Sequence, residues 1–263
     1  MPQLAEINAP AAWRTVDFIS DLHLQPGEPA TFSVWQQYLQ HTPADAVFIL
    51  GDLFEVWVGD DVVQAGGIAS RPNFEARCAD VMHTAAQRLA LFFMHGNRDF
   101  LVGDALMARC HAQLLADPCT LVFAGQRWLL SHGDALCLDD VPYQQFRRLV
   151  RSAAWQTTFL AKPLAERQTI ARQMRQQSDA SKRTATAFVD ADTALSRQWL
   201  QDASAHALIH GHTHLPADYL LGPAHTRIVL SDWDAAANPP RAQVLRLTAA
   251  GLQRIDLLTP AKI

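Results

Sequence analysis

The sequence predicts an α/β fold whose sheet-bearing core is interrupted by a helical insertion. Three observations carry that expectation. Short apolar runs rich in Val, Ile, Leu and Phe alternate with stretches of helical periodicity. Five of those runs lead into turns carrying Asp, Asn or His. Between the fourth and fifth lies a segment, 143–200, that contains no glycine and spaces its apolar residues by three and four.

Taken in order, the first strand runs Val16 to Ser20 into Asp21-Leu22-His23, and Pro29 to His41 follows as a helix with proline in its first turn. Ala46 to Leu50 is a wholly apolar strand ending on Gly51-Asp52. Arg71-Pro72-Asn73 opens a helix expected over Phe74 to Leu89. Leu91 to Met94 runs into His95-Gly96-Asn97-Arg98-Asp99, with a short helix over Asp104 to Cys110. Trp128 to Ser131 reaches His132-Gly133-Asp134. In the insertion, Phe146, Leu149 and Val150, then Ile170 with Met174 and Leu195 with Trp199, predict two or three helices, broken near Lys162-Pro163 and around Ser178 to Ser181. Ala207 to Ile209 ends on His210-Gly211-His212-Thr213-His214; Arg227 to Leu230, Ala242 to Leu247 and Gly251 to Leu258 are the remaining strand candidates. The expected division is a core of 1–142 and 201–263 with a helical cap over 143–200.

Composition narrows the class. The chain has 263 residues, 49% of them apolar, enough for a sizeable core. No apolar run approaches the roughly 18 residues of a membrane span, and the N-terminus lacks a signal-peptide pattern. The four cysteines form no CxxC pair, and reduced, packed thiols are expected. The net charge is −4, yet the stretch from Tyr143 to Ala205 holds ten basic and five acidic residues. An anionic partner and an ordinary solvated helical face are both compatible with that block. An acidic core without a long Lys/Arg stripe argues against nucleic acid as a partner.

The strand-end residues have the chemistry of a metal centre. Residues i and i+2 of an extended segment point the same way, so Asp21 and His23 can reach one ion. Asp52 carries two oxygens and can bridge two cations. Asn97 offers a neutral amide oxygen, and Arg98 beside it suits bidentate contact with phosphate. His132, His212 and His214 add three imidazoles. Oxygen and nitrogen donors without cysteine suit a pair of divalent transition ions, Mn, Fe or Zn, better than a structural zinc site.

In this order, the elements Asp21-x-His23, Gly51-Asp52, Gly96-Asn97-Arg98-Asp99, His132 and Gly211-His212-x-His214 resemble the pattern of the calcineurin-like metallophosphoesterase superfamily. The resemblance implies a four-layer α-β-β-α sandwich. It implies one ion held by Asp21, His23 and His214, another by Asn97, His132 and His212, and Asp52 bridging them. The flanking segments, Ser20 to Leu24, Gly51 to Asp61 and His95 to Leu101, with His210 to Pro216, are similar to the UDP-2,3-diacylglucosamine hydrolase family, which acts in lipid A synthesis in Gram-negative bacteria. That similarity implies hydrolysis of the diphosphate of UDP-2,3-diacylglucosamine to UMP and 2,3-diacylglucosamine 1-phosphate. The nucleophile would be a hydroxide activated by two ions, Mn2+ by family preference, attacking the uridine-side phosphorus. Asp52, Asn97, Arg98, His132 and His212 would be catalytic. Substrate would be bound by Asn97, Arg98, Asp140, Ser178, Lys182 and His212, although Ala185 stands where a further basic side chain is expected. Asp99 and Asp134 are expected to orient ligand histidines, with packing roles for His95 and His210. Phe146, Leu149, Val150, Trp155, Phe159, Leu160, Ile170 and Met174 would pack the cap, some of them lining an acyl cleft. The basic residues Arg147, Arg148, Arg151, Arg172, Arg175, Lys182 and Arg183 would meet diphosphate or an anionic membrane surface, or lie on a solvated face. A monomer lying peripherally on the cytoplasmic face of the inner membrane is expected. The alternatives are another dimetal phosphodiesterase or phosphatase with a nucleotide or phosphoprotein substrate, a scaffold that has lost catalysis, and a nuclease.

Overall fold

The computed structural model describes residues 4–64, 72–184 and 189–259, the side chains of 177–184 excepted. Two six-stranded sheets form the centre. The first has the order β1 (Ala5–Asn8), β6 (Cys119–Phe123), β7 (Gln126–Leu130), β8 (Ala207–His210), β10 (Thr226–Val229), β9 (Asp218–Leu220). The second has the order β12 (Gly251–Asp256), β11 (Gln243–Thr248), β2 (Thr15–Ile19), β3 (Ala46–Leu50), β4 (Ala90–Met94), β5 (Ala112–Leu115). β2, β3, β4 and β5 run parallel, as do β7 and β8.

The two-residue period of a strand explains the layering. On β3, Ala46, Phe48 and Leu50 face the other sheet, where Leu121, Trp128, Leu130 and Ile209 meet them. Val47 and Ile49 point the other way, onto the helices α1 (Pro29–His41), α2 (Phe74–Ala86) and α3 (Asp104–Cys110). A sheet buried on both faces needs a continuously apolar strand, which is why β3 shows no alternation in sequence. Phe48 stacks on Phe92 at 4.4 Å between centroids. The four-layer architecture is therefore present, closed on the far side by α7 (Thr193–Asp202), whose Trp199 and Leu200 pack with Leu129 and Leu208.

Between β7 and α7 run α4 (Val141–Val150), α5 (Ala153–Leu160) and α6 (Leu164–Thr184). Asp140, Ser152 and Asp192 cap α4, α5 and α7 through bonds to the amides of Tyr143, Trp155 and Leu195. Pro163 ends the preceding turn, as expected, but α6 runs unbroken through Ser178 to Ser181. Serine lowers helix propensity by only a few tenths of a kcal/mol, about, too little to end a helix tied down elsewhere. α7, within the stretch expected to form the cap, packs on the outer face of the first sheet. Trp155 stacks on Phe159, and Val150 and Phe159 are buried, whereas Leu149 and Leu160 are exposed. β1, β5, β6 and β9 lie outside the strands expected from the sequence.

Candidate metal centre

All five ligand-bearing loops open on one rim. The carboxyl ends of β2, β3 and β4 meet those of β7 and β8 through loop hydrogen bonds. The amide of Asp21 donates to Gly51 O at 3.1 Å and that of Gly211 to His132 O at 3.0 Å. The His212 amide donates to Asp21 Oδ2 at 2.9 Å, joining the sheets. Asp21, His23, Asp52, His212 and His214 all have positive φ, between 49° and 66°. Non-glycine residues seldom adopt this region, and each does so at a cost of roughly 1–3 kcal/mol. Strain of this kind, gathered at one rim, is held by the surrounding structure to aim side chains.

The aimed atoms fall into two groups. In the first, His23 Nε2 lies 3.5 Å from His214 Nε2, which lies 3.3 Å from Asp21 Oδ1. Asp21 Oδ2 is turned away, accepting from Ser20 Oγ at 2.6 Å, so Oδ1 is the oxygen offered. In the second, Asn97 Oδ1 lies 3.0 Å from His132 Nε2, 2.8 Å from His212 Nδ1 and 3.2 Å from Asp52 Oδ2. His132 Nδ1 donates to Leu50 O at 2.9 Å, which aims Nε2 at Asn97 and Asp52 and leaves it as the atom a cation would take in place of a proton. Asp21, Asp52 and His132 also converge, so Asp21 takes part in both groups. The glycines permit the approach: a Cβ on Gly96 would strike the Asp52 carboxylate, and one on Gly211 the Asp21 carboxylate.

These residues fit cations. The Asn97 amide oxygen is surrounded by acceptors, while its nitrogen faces Arg98 Nε at 3.2 Å. Lone pairs converging on lone pairs repel unless a cation stands among them. The field agrees. Burial opposes protonation of His132, yet Asp52, Asp134 and Asp21 outweigh it and lift the imidazole to about 9. Burial and then the neighbouring His132 push His212 down to about 3, leaving it a neutral donor. Together the two groups make a dimetal site.

The other expected residues divide. The Arg98 amide donates to Asp52 Oδ1 at 2.8 Å, and its guanidinium lies 3.3 Å from Glu55 Oε1, at the rim. Asp140 caps α4. The side chains of Ser178 and Lys182, and Ala185, lie outside the described residues. Asp99 does not orient a histidine. Its oxygens accept from the amides of Gly96, Asp52, Leu53 and Phe54, pinning the Asp52 loop to the Asn97 loop. Burial, then the Asp52 charge, raise it to about 7. Asp134 does not orient one either. Its Oδ2 accepts from Tyr143 Oη at 2.5 Å, Arg147 Nε at 2.8 Å and Arg151 Nη2 at 3.4 Å, seating α4 on the core. Arg151 also donates to Gly96 O at 2.9 Å. Two of the basic residues expected to face phosphate or membrane are thus turned inward. Burial drives His210 down to about 4, and His95 bonds Val102 O at 2.6 Å, so both pack as expected.

Sequence reasoning missed the clamps on α6. Arg167, 3% exposed, pairs with Asp61 and donates to Val58 O and to Lys162 O. Arg175 pairs with Glu55 at 2.7 Å. The cue was the acidic character of Gly51 to Asp61, here used to hold a helix.

The profile of the calcineurin-like phosphoesterase family matches residues 14–216. UDP-2,3-diacylglucosamine hydrolase of Bordetella pertussis is 40% identical over 246 residues, covering 91% of this chain and 93% of that protein. The protein of the same name from Chromobacterium violaceum is 42% identical, covering 92% and 98%. That of Aeromonas hydrophila subsp. hydrophila is 42% identical, covering 82% and 89%. With its ordered strand-end residues and its two-sheet core, the chain belongs to the calcineurin-like phosphoesterase family and, within it, to the family of the UDP-2,3-diacylglucosamine hydrolases.

Proposed function

We propose that the protein hydrolyses the diphosphate of UDP-2,3-diacylglucosamine, releasing UMP and 2,3-diacylglucosamine 1-phosphate for lipid A synthesis. The observation that carries the reading is the convergence of seven strained or pinned donors, Asp21, His23, Asp52, Asn97, His132, His212 and His214, in a chain about 40% identical to hydrolases of that name over most of its length. Asp21, His23 and His214 would hold one ion, Asn97, His132 and His212 the other, and Asp52 both. When bound, the ions supply charge neutralisation on the phosphoryl oxygens and acidify water into the neutral range; Mn2+ is the proposed pair.

The chain's own residues do the rest. Arg98 stands at the rim with its guanidinium 3.9 Å from Asp52, and would take a diphosphate oxygen. Asp99 keeps the Asp52 and Asn97 loops in register. The Tyr143 ring lies over His212 at 5.9 Å, so α4 covers the His212 side of the rim. The departing sugar phosphate is a stable anion, so a strong general acid is unnecessary, and the uridine-side phosphorus is the proposed point of attack. Asp140, Ser178 and Lys182 are proposed to contact the nucleotide-sugar. Exposed Leu138, Val141, Leu149 and Leu160, together with exposed Arg148, suit acyl chains and a membrane surface, and the proposed stance is that of a monomer lying peripherally on the cytoplasmic face of the inner membrane. Among the described residues, no helix is long and apolar enough to cross a membrane.

The test is a substrate panel with Mn2+ in 18O-labelled water. UDP-2,3-diacylglucosamine should be cleaved with the label in UMP. Preference for cyclic nucleotides or phosphopeptides would refute the substrate assignment, and label in the sugar phosphate would refute the point of attack.

A further inference from the structure

We infer that Glu55 is a positioning residue that couples the seating of the cap to the first metal group. Its carboxylate divides its two oxygens. Oε2 lies 3.1 Å from His23 Nδ1. Oε1 lies 2.7 Å from Arg175 Nε on α6 and 3.3 Å from Arg98 Nη1. The carboxylate side chain is only 16% exposed, so these contacts are poorly screened.

Each contact has a consequence. A carboxylate 3.1 Å from Nδ1 attracts the proton to that nitrogen by its charge and favours the tautomer in which Nε2, the atom that converges with His214 and Asp21, carries the lone pair. The same carboxylate is held in place from the other side by two guanidiniums. One of them belongs to the cap. Arg175 lies eight residues beyond Arg167, about 12 Å along the helix. Arg167 is the buried anchor, paired with Asp61, six residues after Glu55 in the segment that follows β3. α6 is therefore anchored near its start by Asp61 and Arg167, and near its middle, at Arg175, it meets the carboxylate that faces His23. Ordering His23 around a cation orders Glu55, and with it Arg175; seating α6 favours the His23 geometry that binds the cation. Such coupling is reciprocal.

The inference rests on the dimetal reading, and the experiment separates the two. Mn2+ binding is measured by calorimetric titration and by metal content after gel filtration. Hydrogen exchange is followed over 164–176 with and without Mn2+. The full-length protein is compared with Glu55→Ala, Glu55→Gln and Arg175→Ala. Wild type should bind two ions and protect 164–176 when they bind. Glu55→Ala should bind one ion about 10- to 100-fold more weakly, the other unchanged. Glu55→Gln, whose amide oxygen can still face His23 Nδ1–H, should keep affinity within a few-fold. Arg175→Ala should keep most of the affinity and lose the metal-dependent protection, which also serves should Glu55→Ala misfold. Unaltered affinity in Glu55→Ala, or equal metal-dependent protection in Arg175→Ala and wild type, overturns the coupling. No Mn2+ binding by wild type overturns the dimetal reading itself.

Discussion

Replacing Asp134 with alanine should unseat α4. Asp134 is fully buried, and one of its oxygens serves three donors, the Tyr143 hydroxyl, Arg147 Nε and Arg151 Nη2. Burial alone would raise this carboxyl, but His132, Arg151 and Arg147 outweigh it and hold it well below the usual carboxylate range. A depressed carboxyl contributes stability that is present at neutral pH and lost as the pH falls toward its lowered pKa. Removing one partner of a buried pair costs about 3–5 kcal/mol. The two guanidiniums keep about a fifth of their surface, 20% each, so water recovers part of that. A loss of about 3 kcal/mol is expected, or roughly 6–12 °C in Tm for a domain of this size. Asp140→Ala is the control, because it removes only the α4 cap, worth about 1 kcal/mol. Thermal unfolding followed by circular dichroism reads both. A shift for Asp134→Ala no larger than for Asp140→Ala would refute the role given to this carboxylate.

Two further outcomes follow from the site. Gly96→Ala should abolish Mn2+ binding while leaving the far-UV spectrum native, because its Cβ would displace the Asp52 carboxylate, whereas Gly27→Ala, with nothing within 4 Å, should bind as wild type; equal binding by both would refute the close approach. Apparent Mn2+ affinity should fall as the pH drops below about 9, since the metal-free centre holds a proton on His132 that the cation must displace, and level off above it; pH-independent affinity in calorimetric titrations would contradict this.

The metal centre was legible because each donor follows a buried strand, so order along the chain became order around a rim. Strand β3 announced itself by five consecutive apolar residues. Strand β1 did not, being mostly exposed, nor β9 with three residues. Adjacency misled at Asp99 and Asp134. Each stands near a ligand in sequence, and only the fold reveals that their acceptors serve loop amides in one case and side chains of Tyr143, Arg147 and Arg151 in the other. The same holds for Glu55 and Asp61. Their partners Arg175 and Arg167 lie more than a hundred residues away on a helix whose pattern reads as a plain basic face.

The most direct test of the central claim is turnover of UDP-2,3-diacylglucosamine by Mn2+-loaded wild type and by Asp52→Ala. Wild type should form UMP and the sugar 1-phosphate, and the variant should fall to background because the carboxylate proposed to bridge the two ions is gone. Wild-type turnover by Asp52→Ala with two ions still bound would contradict the account.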